Sequence, residues 1–171
     1  MEFFLTKGRL EPSKKTVRKL QDMRDYFQDL KEFERFAKEN PIVYEVYEHE
    51  NPGKENLSFA TTILYPGKVA DEFFMTKGHR HEKERGELYY GISGKGIVLI
   101  QKKDEIKRFN LKRDSLIYIP AGFAHRTINI GNEKLVFLAI YPSDAGHDYK
   151  STKGFLLRVL ERDGNLIFER K

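Results

Sequence analysis

His79 and His81 are separated by a single residue, Glu87 follows shortly after, and His125 stands far downstream in YIPAGFAHRTIN. Side chains on an extended strand alternate between faces, so the first two imidazoles project to the same side. A carboxylate from the next strand and a third imidazole from a distant one would close a cluster of three nitrogens and one oxygen. Any one of these histidines alone would read as a hydrogen-bonded ring in a packed interior; together they predict a metal site. Three imidazoles and a carboxylate suit a six-coordinate divalent first-row ion with open positions, and iron, manganese, nickel, cobalt and zinc all accept such donors. Calcium and magnesium prefer an all-oxygen shell. A purely structural zinc site is closed and usually contains cysteine, which this chain lacks. The donors therefore point to a working site rather than a structural staple.

The elements that must hold these residues are short strands. Residues 3–12 read as an extended arm ending near Pro12. From Ser13 to Asn40 the spacing of Val17, Leu20, Met23, Phe27, Leu30, Phe33 and Phe36 predicts a helical apolar stripe, as one helix or two short ones, which Asn40-Pro41 ends. Beyond it come IVYEVYEHE, LSFATTILYP, DEFFMTKGHRH, GELYYGIS, GIVLIQ, SLIYIP, AHRTINI and KLVFLAIYP. Polar or glycine-containing turns divide them, among them Asn51-Pro52-Gly53 and Pro66-Gly67. Ser93-Gly94-Lys95-Gly96 reads as a hairpin turn, because a nucleotide-binding glycine loop opens a helix and GIVLIQ continues as strand. Asp163-Gly164-Asn165 would turn a last hairpin. The expectation is an all-β double-sheet jelly-roll barrel with an N-terminal helical segment. Residues 1–171 read as a single domain, with the arm and helical segment in 1–40 and the barrel core in 41–171.

Composition removes several other classes. A chain of 171 residues with 39% apolar content can bury a substantial core, and no linker, low-complexity tract or repeat interrupts it. Without cysteine there is no disulfide, thiolate ligand or cysteine nucleophile. The net charge of +5 is spread among interleaved acids and bases, as in KKTVRKLQDMRDYFQDLKEFER, which reads as a solvated surface and not as a nucleic-acid stripe. A mildly positive field favours small anionic substrates. The longest apolar run, LVFLAIY, falls far short of the roughly 20 residues of a spanning helix, and the start lacks a signal peptide. A cytoplasmic protein with neither membrane nor nucleic-acid partner is expected.

GHRH, ELYYGISGKG and YIPAGFAHRTINIG resemble the two motifs of the cupin superfamily. PIVYEVYE, LSFATTILYPGKV, FFMTKGH and FLAIYPSDAGHDY are more narrowly similar to the archaeal-type, cupin glucose-6-phosphate isomerases, over about Lys14 to Gly154. That resemblance implies interconversion of glucose 6-phosphate and fructose 6-phosphate, a homodimer, and iron(II) as the first choice of metal. It assigns His79, His81, Glu87 and His125 as ligands. Glu87, the sole carboxylate of that set, is then the candidate base; Tyr89 would help transfer the hydroxyl proton and His147 is a further catalytic candidate, with a direct hydride shift as the rival route. A substrate pocket is implied at Tyr44, Thr62, Thr76, Gly78, Tyr141 and Tyr149. Within it Thr62, Thr76, the Gly78 backbone and Tyr141 would meet the phosphate, while Tyr44, Tyr89, His147 and Tyr149 would meet the sugar. Read from the residues alone, Lys77 is a solvated lysine, and the tyrosines could equally be strand packing. A mannose-6-phosphate isomerase, an oxygen-consuming cupin or a non-catalytic sugar-phosphate-binding cupin would carry the same ligand set.

Overall fold

The computed structural model describes residues 2–149 and 154–171. Its first strands, Phe4–Thr6 (β1) and Arg9–Glu11 (β2), pair antiparallel across Lys7-Gly8. The expected extended arm is thus a small hairpin. Leu10 packs against Tyr47, Ile63 and Val136, and its N–H donates to Thr61 Oγ1 at 3.1 Å.

The helical stripe takes its form of two short helices, and its first turn is the main correction. Lys14–Lys19 is a strand (β3), Leu20–Tyr26 is a 3-10 helix, and only Leu30–Phe36 is α-helical (α1). Leu20, Met23 and Tyr26 recur every third residue, which is the period of a 3-10 turn, and all three are buried. Phe33 is the buried residue of α1, whose N-terminus is capped by Asp29. Leu30 and Phe36 are 42% and 40% exposed, so two members of the stripe face outward. β3 pairs with Ile42–His49 (β4), so the sheet begins within the segment expected to precede the barrel core.

The remaining strands are Leu57–Leu64 (β5), Lys68–Val69 (β6), Glu72–Phe73 (β7), Glu87–Ser93 (β8), Lys95–Lys102 (β9) and Glu105–Lys112 (β10). Leu116–Ile119 (β11), Ala124–Asn129 (β12), Leu135–Pro142 (β13), Leu157–Arg162 (β14) and Asn165–Arg170 (β15) complete the order. A six-stranded sheet runs β11-β8-β13-β5-β4-β3, opposed by a three-stranded sheet β10-β9-β12, with a four-stranded sheet β15-β14-β7-β6 beside it. This is the expected double-sheet jelly roll. The Asp163-Gly164 turn does join a β14–β15 hairpin. Among the described residues no helix is long and apolar enough to cross a membrane.

Ser93-Gly94-Lys95-Gly96 is not a hairpin turn, because β8 and β9 belong to different sheets. The chain crosses there from one layer to the other. A Cβ on Gly94 would lie 2.6 Å from Lys134 O, and one on Gly96 would lie 2.6 Å from Ile128 O. The glycines permit close backbone packing at this corner.

Register explains how one face of the large sheet becomes a cavity wall. Thr16 pairs with Val46, Val46 with Thr62, and Thr62 with Phe137. One step along, Lys14, Glu48, Ala60, Ala139 and Tyr89 form the next cross-strand row; one step the other way, Arg18 lies opposite Tyr44. These residues alternate along their strands and share a face, and all of them line a single cavity. The opposite face carries Tyr47, Ile63 and Val136 under the β1–β2 hairpin.

Candidate metal centre

His79 and His125 face each other as an antiparallel bridge, with His79 N donating to His125 O at 3.1 Å and His125 N to His79 O at 2.9 Å. Between Met75 and His79, on the segment that pairs with β12, the register shifts. Met75 bridges Ile128, whereas His79 bridges His125, so four steps on one strand span three on the other. This is a β-bulge at Thr76–Gly78. Thr127 N donates to the Thr76 side chain at 3.1 Å, and Gly78 adopts φ of 74°. Strict alternation would put Thr76 and His79 on opposite faces; the extra residue brings both to the cavity.

Glu87 opens β8 and projects its Oε2 among the imidazoles. The distances to Nε2 are 2.7 Å for His125, 3.4 Å for His81 and 3.7 Å for His79. The four candidate ligand atoms lie within 4.8 Å of one another. All four are buried, and none has a partner with hydrogen-bond geometry. Unsatisfied buried polar atoms are costly and rare, and a cation is what this concentration of lone pairs would satisfy. On the far side of two rings, His81 Nδ1 lies 2.9 Å from Arg85 O and His125 Nδ1 lies 3.4 Å from Phe123 O. Carbonyl partners require Nδ1–H, which leaves Nε2 as the lone-pair donor.

The electrostatics agree with a metal cluster. Burial, reinforced by His125, holds His79 well below the usual imidazole range and therefore neutral. Burial alone would raise Glu87, but His125, His81 and His79 outweigh it and keep the carboxylate ionised. Burial lowers His81 while Glu87 raises it, with a net upward shift; binding a cation would displace that proton. Burial also lowers His147 and raises Tyr89 well above the ordinary phenol range, so Tyr89 keeps its hydroxyl proton.

The cavity beside the cluster measures about 300 Å³. Tyr44, Thr62, Thr76, Gly78, Tyr89, Tyr141, His147 and Tyr149 all line it together with His79, Glu87 and His125. His81 closes the cluster from behind. Tyr44 is pushed up to about 12 by burial, and Tyr141 donates to Glu48. Lys77 Nζ lies 5.8 Å from the Tyr26 ring centroid, and Lys77 is not among the residues lining the cavity. The sequence reading missed Lys14, Thr16 and Arg18 of β3 and Glu48 of β4, which also face inward. The signal was available in the alternation of KKTVRK, but the expected helix concealed it.

The connector between His81 and Glu87 is tied to the segment that carries His147. Arg85 binds Asp144 through two nitrogens, at 3.0 and 2.9 Å, and Lys83 Nζ reaches the same carboxylate at 3.0 Å. Asp144 thereby fixes the Arg85 carbonyl that orients His81. Asp144→Ala is expected to weaken metal affinity on the order of tenfold, measured by competition with a chromogenic chelator. Unchanged affinity would show that the loop holds itself.

A family model for "Glucose-6-phosphate isomerase (GPI)" matches residues 15–167. The chain belongs to the glucose-6-phosphate isomerase family. The glucose-6-phosphate isomerase of Thermococcus kodakarensis is 49% identical over 171 residues, covering 97% of this chain and 90% of that one. That of Pyrococcus furiosus is 48% identical over 165 residues, 93% and 87% of the two chains. Among solved structures, an oxalate oxidase superposes with a TM-score of 0.54 at 17% identity, over 63% of this chain and 55% of its own. Bacillus subtilis oxalate decarboxylase gives 0.51 at 28% identity, over 61% of this chain and 26% of its own. The jelly roll of this isomerase-family chain is accordingly of the cupin type.

Proposed function

We infer that the protein interconverts glucose 6-phosphate and fructose 6-phosphate, with a divalent metal held by His79, His81, Glu87 and His125. The observation that carries this reading is a division within one cavity. Glu87 and the imidazoles lie toward one end; Arg18, Tyr44, Thr62 and Thr76 lie toward the other. Among the described residues the Arg18 side chain has no hydrogen-bond or ion-pair partner, and a cation beside three hydroxyls suits a phosphoryl group. A linear sugar phosphate would thus lie with its ester near Arg18 and its C1 and C2 near Glu87. Register favours grouping Tyr44, which is opposite Arg18, with the phosphate donors. Tyr141, hydrogen-bonded to Glu48, belongs at the sugar end with Tyr89, His147 and Tyr149.

A bound metal would act as a Lewis acid on the sugar oxygens; iron(II) is our first choice, with manganese, nickel, cobalt and zinc compatible with the donors. Among the described residues Glu87 is the one carboxylate that both belongs to the cluster and lines the cavity, and we assign it the C2 proton. Tyr89, protonated at neutral pH, donates a hydrogen bond to a substrate oxygen, and neutral His147 accepts a hydroxyl proton. Holding the phosphate at a distance from the reacting carbons orients them, so its contacts serve rate as well as affinity. A homodimer in the cytoplasm completes the reading.

The decisive experiment is a coupled assay of both hexose phosphates with metal content measured on the same sample; no turnover in metal-replete protein rejects the reading. Arg18→Ala is expected to raise KM for fructose 6-phosphate roughly 10- to 100-fold, the value of one hydrogen bond to a charged group, with a smaller fall in kcat. An unaltered KM would separate Arg18 from the phosphate.

A further inference from the structure

Arg126 follows the ligand His125 on β12 and is only 3% exposed. Adjacent strand residues face opposite ways, so its side chain lies behind the cavity wall while His125 lines the cavity. The guanidinium carbon sits 4.4 Å from the Phe155 ring centroid and 5.2 Å from that of Tyr26. Burying a cation is costly unless its donors are used. Here Nη2 donates to the carbonyl of Lys77 at 3.0 Å.

That carbonyl belongs to the peptide joining Lys77 to Gly78, inside the bulge. In a trans peptide the carbonyl and the following N–H point in opposite directions. With its oxygen drawn back to Arg126, the peptide turns the Gly78 N–H toward the cavity that Gly78 lines. Among the described residues this N–H has no backbone partner. The neighbouring Lys77 N–H is 3.5 Å from the Tyr44 hydroxyl, so two successive amides face the end of the cavity assigned to phosphate. A Cβ at position 78 would meet His125 O at 2.5 Å and Arg126 Cβ at 3.1 Å, so only glycine lets the bulge pack this closely on β12 and Arg126.

We propose that Arg126 is a positioning residue that sets the Lys77–Gly78 peptide from behind, so that the Gly78 N–H donates to the substrate's phosphoryl group. Its hydrogen bond also polarises the peptide and strengthens that donor, and its charge adds to the field at the anion without touching it. The proposal rests on the reading of this cavity as a sugar-phosphate site.

The test compares Arg126→Met, which keeps bulk and removes every donor, with Arg126→Gln, which keeps an amide N–H for the Lys77 carbonyl. Inorganic phosphate is used as a competitive inhibitor and fructose 6-phosphate as substrate, on metal-replete protein. Arg126→Met is expected to raise both the phosphate Ki and KM roughly tenfold, with kcat changed much less, and Arg126→Gln to recover part of the loss. Metal content should match the parent in both. Unchanged Ki and KM in a folded Arg126→Met protein overturn the proposal. So do equal losses in the two variants, since packing between Tyr26 and Phe155 would then be the whole effect. Should Arg126→Met fail to fold, the parent and Arg126→Gln, both loaded with zinc, are compared by NMR, and a Gly78 amide shift of equal size in the two overturns the role of Arg126. Saturation with inorganic phosphate should shift the Gly78 amide proton downfield, and an unmoved resonance overturns the proposal. If the parent turns over neither hexose phosphate while phosphate still shifts its Gly78 amide more than that of Arg126→Gln, the isomerase reading fails and the role of Arg126 stands.

Discussion

Glu87→Gln is expected to lower kcat by roughly 10²- to 10⁴-fold, the usual contribution of a positioned acid–base group. Gln keeps the size of the side chain and one carbonyl oxygen toward His125, but it carries no charge and accepts no proton. The comparison should be made at saturating metal, with bound metal quantified, so that loss of a ligand is separated from loss of a base. Glu87 is 3% exposed, lines the cavity and is held ionised by three imidazoles. An acid stabilised in its anionic form is a weak base, and its strength depends on how far the cluster releases it during turnover. Turnover within a factor of two of the parent would remove Glu87 from proton transfer and leave direct hydride transfer between C1 and C2.

Removal of the metal should abolish turnover, and addition of Fe²⁺ or Mn²⁺ should restore it. The same treatment should lower thermal stability. A ligand present at a thousandfold over its Kd stabilises the folded state by about 4 kcal/mol, which for a chain of this size corresponds to a Tm change of roughly 10 °C. The four inward-facing ligand atoms lack hydrogen-bond partners, so their mutual repulsion and desolvation return when the cation leaves. Calorimetry with and without chelator reads the shift, and activity on the same samples reads the chemistry. Chelated, metal-free protein working at the full rate would dismiss the cation from catalysis.

The ligand cluster was legible because strand alternation is a strong local rule. His-x-His puts two rings on one face, and Glu-x-Tyr does the same for Glu87 and Tyr89. The pocket was reached through resemblance rather than periodicity, since Thr62, Thr76, Tyr44 and Tyr141 come from four separate stretches. The failures have physical causes. Val17, Leu20, Met23 and Phe27 looked like one helical face, yet the run crosses from strand to 3-10 helix and beyond, and a spacing near three fits several elements at once. Tertiary pairing of β3 with β4 decided the matter. The glycines after β8 looked like a tight turn, but a crossing between layers needs the same conformational freedom, and only the distant partners Lys134 and Ile128 distinguish the two.

The bulge at Thr76–Gly78 gives the chemistry an unusual dependence on counting. Losing one residue there would restore an unbroken ladder and swing His79 and His81 to the back of their strand, although every ligand would survive in the text of the gene. Insertions and deletions at this point should therefore be far less tolerated than substitutions of Lys77, whose side chain takes no part in the wall.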